Sequence, residues 1–278
     1  MHRGIRLCLL AAAGIPLAAQ STPKLFEWER GFALEAPDQA GMAMYLWFYE
    51  WNMFDAVARG QHTPGSTGFP VKVDAGGAGA LIDAGFMRLR ARAVPGGADL
   101  SLEITNATGH DWPEIAGIIP CWSPGRVRDA KSLGANAFFH VPANPQFDDR
   151  DRARTFFLSG EALAPLASRE IHFNRDLWNL IARQAGPTGF VFSNKWPASK
   201  ANAAAGLIVR ESVDGKWVTG VAWRDFLSVQ AHNPWNCMHA SIRVGPLKRN
   251  ASKTLRGKLY LFRGGRQDCL ERFQRDFR

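Results

Sequence analysis

The stretch Met87-Arg88-Leu89-Arg90-Ala91-Arg92-Ala93-Val94-Pro95-Gly96-Gly97-Ala98-Asp99-Leu100-Ser101-Leu102-Glu103-Ile104-Thr105 decides the fold class. Met87, Leu89, Ala91 and Ala93 fall on one side of an extended chain, and Arg88, Arg90 and Arg92 on the other. The turn Pro95-Gly96-Gly97-Ala98-Asp99 follows, and Leu100, Leu102 and Ile104 then alternate with Ser101, Glu103 and Thr105. A period of two on both arms of a tight turn predicts an antiparallel hairpin with one apolar and one wet face. The arginine row suits either an anionic polymer or a solvated face neutralised across the strands by Glu103.

The same alternation recurs outward from this hairpin. Asp214-Gly215 is a two-residue turn signal. If Val213 pairs with Lys216, Ile208 lies opposite Val221 and Leu207 opposite Ala222. The far end of that hairpin is then apolar on both faces, which predicts a layered architecture. Met238, Ala240, Ile242 and Val244 alternate with His239, Ser241 and Arg243. After a turn at Lys248–Ser252, Leu255, Leu259 and Leu261 share a face opposite Arg256, Lys258, Tyr260 and Phe262. Two helices are predicted. Asn174 can cap Arg175–Ala185, which stops at Gly186-Pro187, and Cys269, Leu270, Phe273 and Phe277 form one helical stripe near the C-terminus. The expected fold is all-β: a large antiparallel β-sandwich over 42–278 with one inserted helix, a C-terminal amphipathic helix and a long loop at 123–154, preceded by a polar lead-in at 20–41.

The chain has 278 residues and 46% hydrophobic content, enough for a core that needs neither disulfide nor metal. Residues 1–19 read as a signal peptide. Arg3 and Arg6 precede an apolar run, Leu7 to Ala19, whose 13 residues fall short of the ~20 a membrane span needs. A buried N-terminal helix is the alternative. Cleavage near Ala19–Gln20 would export the protein to the periplasm or beyond, with no stable membrane insertion afterwards. Loss of Arg3 and Arg6 would leave 32 basic against 25 acidic side chains, a formal charge of +7 that favours anionic partners. Export and the lack of a Lys/Arg run argue against nucleic acid. Cys121, Cys237 and Cys269 would remain, compatible with one disulfide and one free thiol or with three buried thiols.

Val244-Gly245-Pro246-Leu247, a polar turn, then Lys253-Thr254-Leu255-Arg256-Gly257-Lys258-Leu259-Tyr260-Leu261 and an amphipathic helix ending in Arg275-Asp276-Phe277 resemble the closing part of exported bacterial β-supersandwich proteins, which are similar to the galactose-mutarotase-like fold. The likeness covers about the last third of the chain. It implies a carbohydrate-related role. The family's catalytic His and Glu are not matched residue by residue, so an epimerase activity is not carried over.

Three groups of residues suit chemistry. In Tyr45-Leu46-Trp47-Phe48-Tyr49-Glu50-Trp51-Asn52, a regular strand puts Tyr45, Trp47, Tyr49 and Trp51 on one face, a row of rings about 20 Å long at ~3.3 Å per residue. Such rings offer flat apolar surfaces with polar handles, which suit sugar rings. The alternatives are an aromatic layer between two sheets, which is the favoured reading, and a helix through 42–58. In His232-Asn233-Pro234-Trp235-Asn236-Cys237-Met238-His239, a loop feeds a strand on which His239 shares a face with Ser241 and Arg243. That row suits acid–base work or the binding of a carboxylate. His62, in Gln61-His62-Thr63-Pro64-Gly65-Ser66, follows Glu50 and Asp55 and could pair with a carboxylate. His140, Asp148, Asp149 and Asp151 lack EF-hand spacing and read as a solvated loop.

No cofactor or metal is expected. The histidine and cysteine spacings match no metal signature, and no GxSxG, P-loop, dinucleotide or HExxH motif occurs. The sequence therefore points to a protein that binds a saccharide, anionic ones included, or another small polar ligand, and could process it. His62, His232 and His239 are the candidates for proton transfer, and Trp47, Glu50, Trp51, Trp235, Asn236 and Arg243 for substrate contact. The rival reading is a non-enzymatic secreted or periplasmic interaction module whose aromatics are all core.

Overall fold

A computed structural model describes residues 20–28, 30–53, 63–64, 69–125, 143–149, 153–166, 170–183, 198–232 and 236–278. The segment read as a signal peptide, most of the 123–154 loop, and His62 and Trp235 lie outside these residues, as do the side chains of Trp51 and His232.

The strands in chain order begin with β1 (Lys24–Trp28), β2 (Gly31–Glu35), β3 (Ala43–Asn52), β4 (Thr63–Pro64), β5 (Val71–Val73) and β6 (Gly79–Asp83). Next come β7 (Met87–Val94), β8 (Gly97–Thr105), β9 (Gly117–Ser123), β10 (Thr155–Ser159), β11 (Ala162–Pro165) and β12 (His172–Phe173). The last are β13 (Gly206–Glu211), β14 (Trp217–Trp223), β15 (Phe226–His232), β16 (Cys237–Arg243) and β17 (Ser252–Arg263). Among the described residues there are two α-helices, α1 (Trp178–Arg183) and α2 (Arg266–Asp276). Neither is long and apolar enough to cross a membrane.

Two antiparallel sheets form the sandwich. The first runs β1-β2-β3-β9-β16-β15-β12, with β4 paired to β3; the second runs β11-β10-β13-β14-β17-β8-β7-β6-β5. One core cluster lies between them. The first sheet contributes Leu46, Phe48, Trp122, Met238 and Ile242, and the second contributes Leu89, Leu102, Val221 and Leu259. Each such side chain stabilises the fold by roughly 1.5–3 kcal/mol on burial. The indole N–H of Trp122 crosses this core to the Thr219 hydroxyl at 2.9 Å.

Outside β3, the period-two readings hold. In β13–β14, Ile208 faces Val221 and Leu207 faces Ala222. Its two apolar faces are explained by the core on one side and α2 on the other, where Leu207, Val209, Val218, Tyr260 and Phe262 meet Cys269 and Leu270. The arginine row of β7 is largely neutralised: Arg88 meets Asp83 at 2.9 Å and Glu103 at 4.0 Å, and Arg92 meets Asp99 at 3.0 Å.

Three details differ from the sequence reading. The lead-in at 20–41 contains β1 and β2, because Phe32 and Leu34 turn into the core while only the flanks are polar. Helix α1 begins at Trp178 rather than Arg175, since the Asn174 side chain closes a turn onto the Asp176 N–H at 3.0 Å before the helix starts. Asp149 is not solvated. It is fully buried, and its carboxylate accepts from the backbone N–H groups of Ala153 and Arg154 at 3.0 and 3.1 Å.

Asp149 belongs to a clamp across one end of the sandwich. Arg210 of β13 is buried and donates to Thr155 Oγ1 at 2.8 Å, and to the carbonyl and side-chain oxygens of Asn236, both at 2.9 Å. Its guanidinium lies 3.9 Å from Asp149. Burial pulls Arg210 down to about 10, with Asp149 working in the opposite direction. It stays charged at neutral pH, so the second sheet holds the Asn236 turn that starts β16. Removing one partner of a buried pair costs about 3–5 kcal/mol. Arg210→Met is expected to lower the unfolding free energy by that amount in urea titration; a loss under about 1 kcal/mol would contradict the clamp.

His172 is buried with its ring 4.0 Å from Phe157 and Nδ1 2.7 Å from the Ala201 carbonyl. Burial is the main cause that pushes its pKa below 6.5. The folded state thus prefers neutral imidazole. That contribution is present above pH 6.5 and is lost as pH falls through the lowered folded value. Chemical denaturation between pH 7.5 and 5 is expected to show falling stability, with a shallower fall in His172→Phe. Parallel curves for the two proteins would rule this out.

Candidate functional site

The face of the first sheet turned away from the core carries the candidate site. In β9 the core takes Ile118 and Trp122, so Ile119, Cys121 and Ser123 project outward. In β16 the core takes Met238, Ala240 and Ile242, and Cys237, His239 and Ser241 project outward. Met238 pairs with Trp122, which brings the two outward rows side by side. β15 adds Gln230 opposite His239 and Ser228 opposite Ser241, with the two serine oxygens 3.1 Å apart.

An irregularity in β3 supplies the carboxylate. Trp47 pairs with Cys121, but Trp51 pairs with Ile119, so the ladder slips between them. Such a bulge re-aims the side chains that follow it. Phe48 and Tyr49 both enter the core, where Tyr49 packs on Phe69 at 5.2 Å between centroids. Glu50 emerges on the outer face instead. The expected row of four rings is therefore not formed. Tyr45 is buried against Trp28 at 5.7 Å, where burial and then Glu35 raise its pKa. Trp47 is buried beside Cys121 and Cys237, with the Arg30 guanidinium 4.8 Å from its ring centroid.

Glu50 and His239 meet here. Nδ1 of His239 lies 3.5 Å from Glu50 Oε2 and 3.0 Å from the Pro120 carbonyl oxygen. His239 is 2% exposed on its side chain and Glu50 is 17%, so the carboxylate is the member that reaches solvent. The sulfurs of Cys121 and Cys237 are 2.7 Å apart. Burial pushes both thiols up, and at Cys121 the hydrogen bond it donates to Cys237 and the Glu50 charge add to the effect. Both are neutral thiols at neutral pH and poor nucleophiles as they stand.

Gln230 is the most informative member. It is 0% exposed, and neither its amide nitrogen nor its amide oxygen has a hydrogen-bond partner among the described residues. A buried amide left unpaired costs about 1–3 kcal/mol. It lies on the strand next to His239 and offers one donor and one acceptor to whatever occupies the site.

The structure brings Glu50, His239 and Trp47 together with the cysteine pair. It places two other sequence candidates elsewhere. Asn236, at φ 59°, is engaged in the clamp: it accepts from the Asp149 N–H at 3.1 Å and donates to Asp148 Oδ1 at 3.1 Å. Arg243 forms an ion pair with Glu114. Gln230 escaped the sequence reading although its signal was present, since Ser228-Val229-Gln230-Ala231-His232 alternates polar and apolar.

No family model and no curated protein matches this chain. Over most of its length it is similar to two solved structures. One is a galactose mutarotase-like protein from Lactobacillus casei, 14% identical, with 87% of this chain and 97% of that chain covered and a TM-score of 0.40. The other is a galactose mutarotase related enzyme from Lactobacillus acidophilus, 11% identical, with 86% and 97% covered and a TM-score of 0.36.

Proposed function

We propose that this chain is an exported protein that binds a saccharide against the outer face of its first sheet and moves a proton on it with Glu50. His239 is the positioning residue that holds the carboxylate. The observation that carries the reading is Gln230, a fully buried amide with no hydrogen-bond partner among the described residues, directly opposite His239. A group that costs stability and lacks a partner is explained by a ligand that supplies one. Vicinal sugar hydroxyls each donate and accept, which matches the amide's two ends. Ser228 and Ser241 extend the polar row, and Glu50 marks its solvent side.

The charge distribution supports a small ligand over a polyanion, because Arg88 and Arg92 of the basic strand are paired with carboxylates. Export rests on the order of Arg3, Arg6 and the apolar run that follows. One observation favours the rival interaction module: Tyr45, Trp47 and Tyr49 are all buried, as core aromatics would be.

Gln230→Leu separates the two readings. It removes an unsatisfied amide, so the unfolding free energy should rise by about 1 kcal/mol in either case. If the amide serves a ligand, the same variant loses retention on a panel of neutral and uronic-acid polysaccharides. Glu50→Gln is expected to slow any turnover by roughly 100-fold or more. Binding and turnover equal to wild type in Gln230→Leu, Glu50→Gln and His239→Ala would leave the interaction module as the correct reading.

A further inference from the structure

We propose that Cys121, Cys237 and His239 form a zinc site on the outer face of the first sheet. One ligand atom from each of the three lies within 4.8 Å of the others, the only such group among the described residues. Their separation in sequence hid it, for the two cysteines are 116 residues apart. The β9–β16 register joins them: with Met238 opposite Trp122, Cys121 sits across from His239 and diagonally from Cys237 on one face.

The donor set selects the metal. Two thiolates with one imidazole suit zinc and discriminate against calcium and magnesium, and to take it tetrahedrally the two sulfurs, 2.7 Å apart, part to about 3.8 Å. Charge agrees as well. Two thiolates neutralise a divalent cation, so the loaded site places no net charge in this buried setting. Binding one Zn²⁺ releases the two thiol protons to solvent, and no oxidant or reductant is required.

A second observation is independent of the ligand count. Metal-binding imidazoles turn their other nitrogen to a carbonyl or carboxylate, which fixes the tautomer. Nδ1 of His239 already lies 3.0 Å from the Pro120 carbonyl and 3.5 Å from Glu50. That assigns Nε2 as the ligand nitrogen and Glu50 as the outer carboxylate. The three protein ligands sit on two hydrogen-bonded strands, and the fourth corner of the tetrahedron has no ligand assigned among the described residues. The site does not depend on the saccharide reading. A chain that binds zinc and ignores every glycan would keep this inference and lose that one.

The test uses the full mature chain, reduced and stripped of metal under anaerobic conditions. Zinc is titrated against a chromophoric chelator, and cobalt is then substituted. The expected results are one zinc per chain and a near-ultraviolet thiolate-to-cobalt band that zinc abolishes. Cys121→Ser, Cys237→Ser and His239→Ala should each weaken binding more than about 10-fold, and Glu50→Gln about 10- to 100-fold. Cys269→Ser, whose thiol lies under α2, should match wild type. The cobalt band is read on wild-type protein, so a variant that fails to fold does not block the test. Binding without that band, or equal affinity in a folded Cys121→Ser, would overturn the site. So would a Cys121–Cys237 disulfide that withstands the reductant.

Discussion

Everything particular about this molecule depends on the antiparallel ladder between β9 and β16 at the middle of the first sheet. With Met238 fixed opposite Trp122, the period of two leaves no freedom. Ile118, Trp122, Met238, Ala240 and Ile242 must face the second sheet, and Cys121, Cys237, His239 and Ser241 must face away. A slip of β16 by one residue would drive an imidazole, a thiol and a hydroxyl into the hydrocarbon core and expel Met238, Ala240 and Ile242. The core therefore enforces the site: the large loss on slipping pins the register, and the register places the polar row.

Two other features finish the arrangement. The clamp of Arg210, Asp149 and Asn236 spans both sheets and fixes where β16 begins. The bulge in β3 turns Tyr49 inward and Glu50 outward, which converts an aromatic strand into the source of a carboxylate. Stability and site architecture thus share the same elements. Gln230 is the exception, since its buried amide finds no hydrogen-bond partner among the described residues.

Much of the fold was legible in the sequence because strand periodicity is local. The register of the Leu207–Ala222 hairpin could be read to the residue, as could the inward row of Met238, Ala240 and Ile242, while the Met87–Thr105 hairpin is as expected except that its turn is tighter, with Gly97, Ala98 and Asp99 already paired in the strand. The site was only partly legible. His239 and Glu50 stood out as chemistry-bearing residues, yet nothing local showed that they meet. The β3 bulge is a response to the pairing of Trp47 with Cys121 and Trp51 with Ile119, contacts 74 and 68 residues apart along the chain. Asn236 looked like a ligand contact because a polar residue in a Pro-containing loop carries no sign of the arginine that will claim it. The cysteine pair is likewise a product of long-range pairing.

The central claim is that the outer face of the first sheet, not the basic face of the second, receives the ligand. Side-chain amide and imidazole NMR resonances report on it directly during titration with a bound oligosaccharide from the polysaccharide panel. The account expects the largest shifts at the Gln230 amide and the His239 ring, with lesser ones along β3 and β9. Shifts confined to Arg90, Ser101 and Arg256 of the second sheet, with Gln230 and His239 unmoved, would contradict it.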